Sequence, residues 1–138
     1  MPNFLAAAQR HMDDGDFLHQ DSRIPNAVQL WAYGAECTLK AIALKQNLFQ
    51  LDADNKPQKP FAIHLNQTAA GGSTLLSLYN AAQSGTAALL GPSTAFVGWD
   101  INARYEDGSH LQTVTAYLAD ANRFRQMLVT ARATGLLL

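Results

Sequence analysis

The fold is decided by residues 26–42, which read NAVQLWAYGAECTLKAI. Small and apolar side chains recur there at alternating spacings of three and four residues, which is the period of an α-helix, and the pattern continues to residue 48. A second apolar stripe runs beside the first, so this helix is expected to be buried on more than one side and central to a bundle. Pro25 and Asn26 mark its start, with Asn26 as the expected N-cap. The first stripe is Ala27, Leu30, Gly34, Cys37, Ala41, Leu44 and Leu48, and the second is Val28, Trp31, Ala35, Leu39 and Ile42.

Helical patterns also lie on both sides of this segment. Residues 3–14 predict a first helix that Gly15 interrupts, and residues 62–70 favour a short helix bearing His64. Ser73 is the expected cap of a further helix that extends to residue 82. Ser109, followed three residues later by Gln112, forms a capping box that predicts the start of the last helix, which Gly135 ends. Residues 99–105 fit an extended stretch or a short helix equally well.

Length and composition bound the architecture. The chain has 138 residues, of which 48% are hydrophobic, so it can bury a core as one domain and is not disordered by composition. No convincing pair of strands appears, and the predicted fold class is therefore all-α, a bundle of four to five helices over residues 1–138. No apolar run approaches the roughly 18 residues that span a bilayer, so a cytoplasmic location without membrane contact is expected.

The charge content points towards a partner. Charged residues make up 15% of the chain, against about 25% in an average globular domain, which suggests that part of the surface is buried against a partner. The net charge of −1 means that any nucleic acid must be held by a local basic patch. Arginines in the last third of the chain favour either such a patch or tethers between helices; they are Arg104, Arg123, Arg125 and Arg132.

Other polar residues have a structural and a functional interpretation. Glu36 and Lys40, one helical turn apart, are expected to bridge to each other or to neighbouring helices, with a ligand groove as the alternative. His64 is expected to make a capping or core hydrogen bond, again with a polar ligand site as the alternative. The single cysteine, Cys37, is assigned to packing, and the two tryptophans to the core. The acidic cluster near residues 11–21 is interpreted as a solvated corner and not as a metal site, since it lacks a known ligand spacing.

Several short motifs follow one another in a characteristic order. They are Ala35-Glu36, Leu39-Lys40-Ala41, His64-Leu65 and, before the last long helix, Trp99 with Arg104-Tyr105. In this order and spacing they resemble HEPN domains, which are named for nucleotide binding in higher eukaryotes and prokaryotes. The resemblance covers the chain from about residue 26 to residue 105. It implies an antiparallel helical bundle, commonly a homodimer. Many members are metal-independent ribonucleases that act as toxins; others partner a small nucleotidyltransferase, which places them in toxin–antitoxin or defence systems.

The nuclease members of that family carry an Arg and, four to six residues later, a His. Arg104 and His110 fit this spacing with five residues between them. An imidazole near neutrality can remove the proton from a 2′-hydroxyl, and a guanidinium can hold the phosphate, so the pair is the candidate catalytic site, without metal or cofactor. The alternative is that Arg104 anchors a loop through carbonyl groups or Glu106 and that His110 is an exposed residue of the first turn. The capping box places His110 in the first turn of the last helix, where the helix dipole keeps the ring neutral.

One position departs from the nuclease pattern. Active members usually carry Asn, Asp or His directly after the Arg, whereas this chain carries Tyr105. The resemblance therefore implies two functions: an RNA- or nucleotide-binding protein that acts as an endoribonuclease, or a non-catalytic module that binds a protein or a ligand. Glu36, Lys40, His64 and Tyr105 are the candidate ligand-binding residues, although in the non-catalytic module Arg104 and Tyr105 are expected to be structural.

Overall fold

Helices dominate the computed structural model, which describes residues 2–68, 72, 74–82, 95–109, 111 and 113–135; the side chain of Arg104 and all of His110 lie outside the described residues. No strand longer than an isolated bridge occurs in these ranges, which confirms the all-α class. The elements are α1 (Phe4–Gln20), α2 (Ile24–Lys45), α3 (Leu75–Ala82), a short 3-10 helix (Ile101–Tyr105) and α4 (Val114–Ala133).

The long helix α2 is the centre around which the other helices pack. It contacts α1, α3, α4 and the 3-10 helix, as its wide apolar arc predicts. Trp31, Leu39 and Ile42 are among its fully buried side chains. Its start differs from the expectation: Arg23 occupies the N-cap position without a side-chain hydrogen bond, and Asn26 lies inside the first turn. The helix can contain Pro25 because the first N–H groups of a helix have no intrahelical partner.

Helix α1 continues through Gly15, so the predicted interruption there is wrong. Gly15 is a buried packing position at which the helix lies directly against the indole of Trp31. A Cβ at this position would lie 2.7 Å from Trp31 Nε1, closer than packed atoms can come. The glycine therefore allows α1 and α2 to approach each other and does not end the helix.

The segment that carries His64 is a loop, and the helix predicted over residues 62–70 is wrong for its described part, residues 62–68. Phe61 and Leu65 are buried and anchor this loop to the core. Asn66 adopts a left-handed conformation (φ 64°). Its side-chain nitrogen, Nδ2, donates to the carbonyl oxygens of Ala95, Phe96 and Trp99 at 2.9–3.0 Å. These hydrogen bonds join the loop to the segment that precedes the 3-10 helix.

The later boundaries also differ in part from the sequence patterns. Ser73 lies outside the described residues, and α3 is capped by reciprocal hydrogen bonds between Thr74 and Ser77. Residues 101–105 form a 3-10 helix, which settles the choice between extended and helical structure. The last helix begins at residue 114, because Ser109 belongs to a turn in which its N–H binds Asp107 Oδ1 at 2.9 Å. Gly135 (φ 78°) follows its end as predicted.

Replacing Asn66 with alanine is expected to lower the free energy of unfolding by about 2 kcal/mol, because buried carbonyl groups lose their donor. Urea denaturation would measure the change. Asn55→Ala is the matched control, since Asn55 has the same backbone conformation (φ 60°) in an exposed loop. If both variants lost the same amount, backbone strain and not the amide hydrogen bonds would explain the effect.

Candidate functional site

Three of the predicted ligand-binding side chains meet on one side of α2. Glu36 Oε1 accepts a hydrogen bond from Lys40 Nζ at 3.3 Å and lies 3.0 Å from His64 Nδ1. The side chains of Glu36 and Lys40 are only 10% exposed, whereas that of His64 is 48% exposed. The expected bridge between Glu36 and Lys40 is therefore confirmed. His64 does make a hydrogen bond, but from a half-exposed loop side chain to Glu36, and not as a helix cap or a core contact. The same contacts leave His64 Nε2 as the ring nitrogen available to a ligand.

An open groove of about 410 Å³ lies beside this cluster. Lys40 and His64 line it together with Lys56 and Gln67, and we call it the polar groove. Gln67 Oε1 accepts the backbone N–H of His64 at 2.9 Å, which holds the loop in position. The charges of Lys40 and Glu36 largely cancel, so the exposed Lys56 ammonium supplies the positive charge at the rim.

The sequence patterns did not identify Lys56 or Gln67. Both lie in loops, where side chains have no periodicity that would place them on a common face. The sequence shows only that Lys56 precedes His64 and that Gln67 follows it. This order does not predict that the three side chains line one groove. The polar groove is thus formed by tertiary contacts beside Glu36 and Lys40, whose pairing their helical spacing does predict.

Two titratable groups near Glu36, His11 on α1 and Cys37 on α2, have shifted pKa values. Burial, together with the neighbouring Arg10, lowers the pKa of His11, which favours a neutral ring at pH 7. Burial, with the nearby Glu36 carboxylate, raises the pKa of the Cys37 thiol to about 11. A thiol with so high a pKa is protonated at neutral pH and is a poor nucleophile, which agrees with its assignment to packing.

The expected catalytic pair stays a prediction. The backbone of Arg104 lies in the 3-10 helix, but its side chain and His110 are outside the described residues. The electrostatic argument for His110 is wrong in one respect, because α4 begins at Val114 and its first turn does not include residue 110. Tyr105 is exposed at the end of the 3-10 helix and does not line the polar groove.

The arginines of α4 serve at least in part as tethers. Arg125 Nη2 lies 2.5 Å from Asp16 Oδ1 and 3.2 Å from the carbonyl oxygen of Met12, which ties α4 to α1. Asp16 also accepts the indole N–H of Trp31 at 3.0 Å, so this member of the acidic corner is not simply solvated. Both tryptophans are buried, Trp31 completely, as expected for core anchors.

Comparisons with known protein families, with characterised proteins and with solved structures found no match for this chain. None of the helices in the described ranges has the length and apolar character needed to cross a membrane. Among the described residues, no three His, Cys, Asp or Glu side chains are grouped as metal ligands. The polar groove and the side chains that line it are the candidate functional site among the described residues.

Proposed function

We propose that this chain is an HEPN-like helical protein that forms a homodimer and binds RNA or a nucleotide. The proposal is supported by the order of its motifs: Ala35-Glu36 and Leu39-Lys40 lie at the middle of the central helix, and His64-Leu65 follows on the next loop. An all-α fold around that helix agrees with the antiparallel bundle that the resemblance implies.

One observation carries the proposal. His64 is 28 residues from Glu36 in the sequence, yet its Nδ1 lies 3.0 Å from the Glu36 carboxylate, beside a groove that Lys40 and Lys56 also line. An ammonium group at the rim suits the oxygens of a phosphate, since charge-assisted hydrogen bonds are the strongest that such groups form. His64 directs its Nδ1–H at Glu36, so it donates to a phosphate through Nε2 only as the protonated imidazolium. The Glu36 carboxylate orients the imidazole so that Nε2 faces the ligand.

Calorimetric titration with a nucleoside triphosphate, a nucleoside monophosphate and inorganic phosphate tests this site. We expect Lys56→Ala to weaken binding about tenfold, which corresponds to about 1.4 kcal/mol for one lost charged contact. Lys59→Ala is the matched control, because it removes the same charge from the same loop but does not line the polar groove. Equal losses in both variants would show that general charge, and not the groove, attracts the ligand.

The catalytic form of the proposal assigns RNA cleavage to Arg104, which holds the phosphate, and His110, which acts as the base, without a metal ion. A labelled RNA incubated with the protein in a chelator is expected to be cut, and His110→Ala is expected to abolish cutting while the melting temperature stays within about two degrees. His19→Gln is the control for the loss of a histidine. Cleavage by His110→Ala at the rate of the wild type would remove this residue from the chemistry.

The second candidate is a non-catalytic module that binds a ligand or a partner protein, such as a small nucleotidyltransferase or an antitoxin. The observation that favours it is Tyr105, which occupies the position after Arg104 and exposes its ring. The two candidates differ in one measurement: the non-catalytic module would leave a labelled RNA intact. Copurification with a coexpressed nucleotidyltransferase would identify the partner.

A further inference from the structure

The histidine of the polar groove has two ring nitrogens with different surroundings. His64 Nδ1 lies 3.0 Å from Glu36 Oε1, in a carboxylate whose side chain is only 10% exposed. An ionised carboxylate accepts hydrogen bonds and donates none, so Nδ1 carries the proton of the neutral ring. Nε2 is then the nitrogen without a proton, and the His64 side chain lines the groove. A neutral His64 therefore offers a ligand in the groove a lone pair and no N–H donor.

This arrangement of the proton opposes the binding of an oxyanion. A phosphate oxygen is a hydrogen-bond acceptor and so is the Nε2 lone pair, which means that the two cannot form a hydrogen bond. Protonation of the ring replaces the lone pair by an N–H donor and adds a positive charge, and hydrogen bonds between oppositely charged partners are the strongest of their kind. The Glu36 carboxylate is the partner of Nδ1 in both forms of the ring, so Nε2 keeps its direction.

The other charged groups around the ring do not replace this proton. From α2, Lys40 Nζ donates to Glu36 at 3.3 Å, and the two charges largely cancel. Lys56, from the loop before His64, is then the remaining charge among the described residues that line the groove. Protonation of His64 therefore raises the positive charge that these groups present from one to two. From α1, His11 lies near Glu36 but does not line the groove.

We propose that the polar groove binds an oxyanion together with one proton, which His64 Nε2 takes up from the solvent. This inference rests on the phosphate site of the proposed function and adds its regulation by pH. Lys56 supplies a charge that is constant near neutral pH, and His64 supplies one that is present only in its protonated form. Because the proton and the oxyanion favour each other, the affinity is highest at acid pH and falls as the pH rises through the range in which imidazoles lose their proton.

Calorimetric titration with sodium sulfate at about pH 5.5 and about pH 8 measures this linkage across the imidazole range. Sulfate is the probe because it has the shape of a phosphate group and keeps both of its charges, whereas a phosphate monoester itself gains a proton near about pH 6. We expect the wild type to bind sulfate about tenfold more tightly at the lower pH, the effect of one charge-assisted hydrogen bond. Titrations near neutral pH in buffers with different heats of ionisation are expected to show net proton uptake.

Two histidine substitutions separate the groove from general effects of pH. His64→Gln keeps a side-chain N–H that donates at every pH but cannot gain a charge, so its affinity for sulfate is expected to be the same at both pH values, without proton uptake. His19→Gln removes a histidine whose ring lies against Trp31 and does not line the groove. This control is expected to keep the tenfold difference of the wild type.

The outcomes distinguish the inference from the proposed function. Sulfate affinity that is equal at both pH values in the wild type, or no sulfate binding at the lower pH, would overturn the proton uptake. A pH dependence that persisted in His64→Gln would assign the proton to another group and overturn the role of His64. The phosphate site of the proposed function would survive these results as long as a nucleoside monophosphate bound, and would be wrong only if it did not bind at either pH.

Discussion

Glu36→Leu is expected to lower the free energy of unfolding by about 3 kcal/mol, because it leaves the Lys40 ammonium with no opposite charge in a largely buried position. The substitution also removes the carboxylate that holds His64 Nδ1, so the loop loses a contact with α2. An apolar side chain of similar volume excludes a cavity as the cause. Chemical denaturation at neutral pH measures the loss.

The partner substitution supplies the control. Lys40→Met in the same chain replaces the buried ion pair by two apolar side chains, and this double variant is expected to be within about 1 kcal/mol of the wild type. The two changes are then strongly non-additive, as expected of groups in direct contact. If the double variant were as unstable as the sum of the two single variants, the 3.3 Å pair would contribute no coupling.

Gly15→Ala is expected to destabilise the protein by about 2 kcal/mol, although the same change at an exposed helical glycine stabilises by about 1 kcal/mol. The added methyl group meets the ring of Trp31, which is fully buried. That ring cannot turn aside freely, because its N–H is bound to Asp16 at 3.0 Å. The helix must therefore move away from α2, and the melting temperature falls.

Gly34→Ala is the control for Gly15→Ala, because it also adds a methyl group at a close helix contact but faces the flexible Met12 side chain and not the Trp31 ring. A Cβ at Gly34 would lie 2.9 Å from Met12 Cε, so it also requires a shift. The methionine side chain has three rotatable bonds and adapts more easily than an indole, so the loss is expected to be smaller. A stability gain for Gly15→Ala in thermal denaturation would contradict the close approach of α1 and α2 at this point.

The sequence patterns predicted those parts of the fold that depend on local periodicity. The stripes of α2 gave its central position, because an apolar arc of that width must be covered on several sides. The helix break expected at Gly15 was wrong. A glycine is required there because the ring of Trp31, 16 residues further along the chain, leaves no room for a Cβ atom. No local pattern distinguishes a glycine that ends a helix from one that admits a neighbouring ring.

Two other errors have a similar physical origin. Phe61 and Leu65 are both buried and four residues apart, a spacing that mimics one face of a helix although the segment is a loop. Ser109 and Gln112 matched a capping box, but the Ser109 N–H is bound by Asp107 in a turn before the helix begins. In both cases the same side-chain spacing is compatible with a helix and with a loop or turn, and the contacts in the folded chain determine which one forms.

The candidate site was predictable to the extent that it lies on one helix. The pairing of Glu36 with Lys40 follows from their spacing of one turn. The approach of His64 to Glu36 depends on how a loop is anchored, and spacing alone does not contain that information. The location of Lys56 on the same groove depends on a second loop, so it became visible only in three dimensions.

The three hydrogen bonds of the Asn66 amide have a consequence for how any ligand is received. They fix the loop at Asn66, two residues from His64, in the absence of a ligand. Binding therefore does not incur the entropy cost of ordering that loop. They also fasten it to Trp99, five residues before Arg104, so that the two segments are expected to shift together. These hydrogen bonds therefore favour a preorganised binding site over one that forms by induced fit.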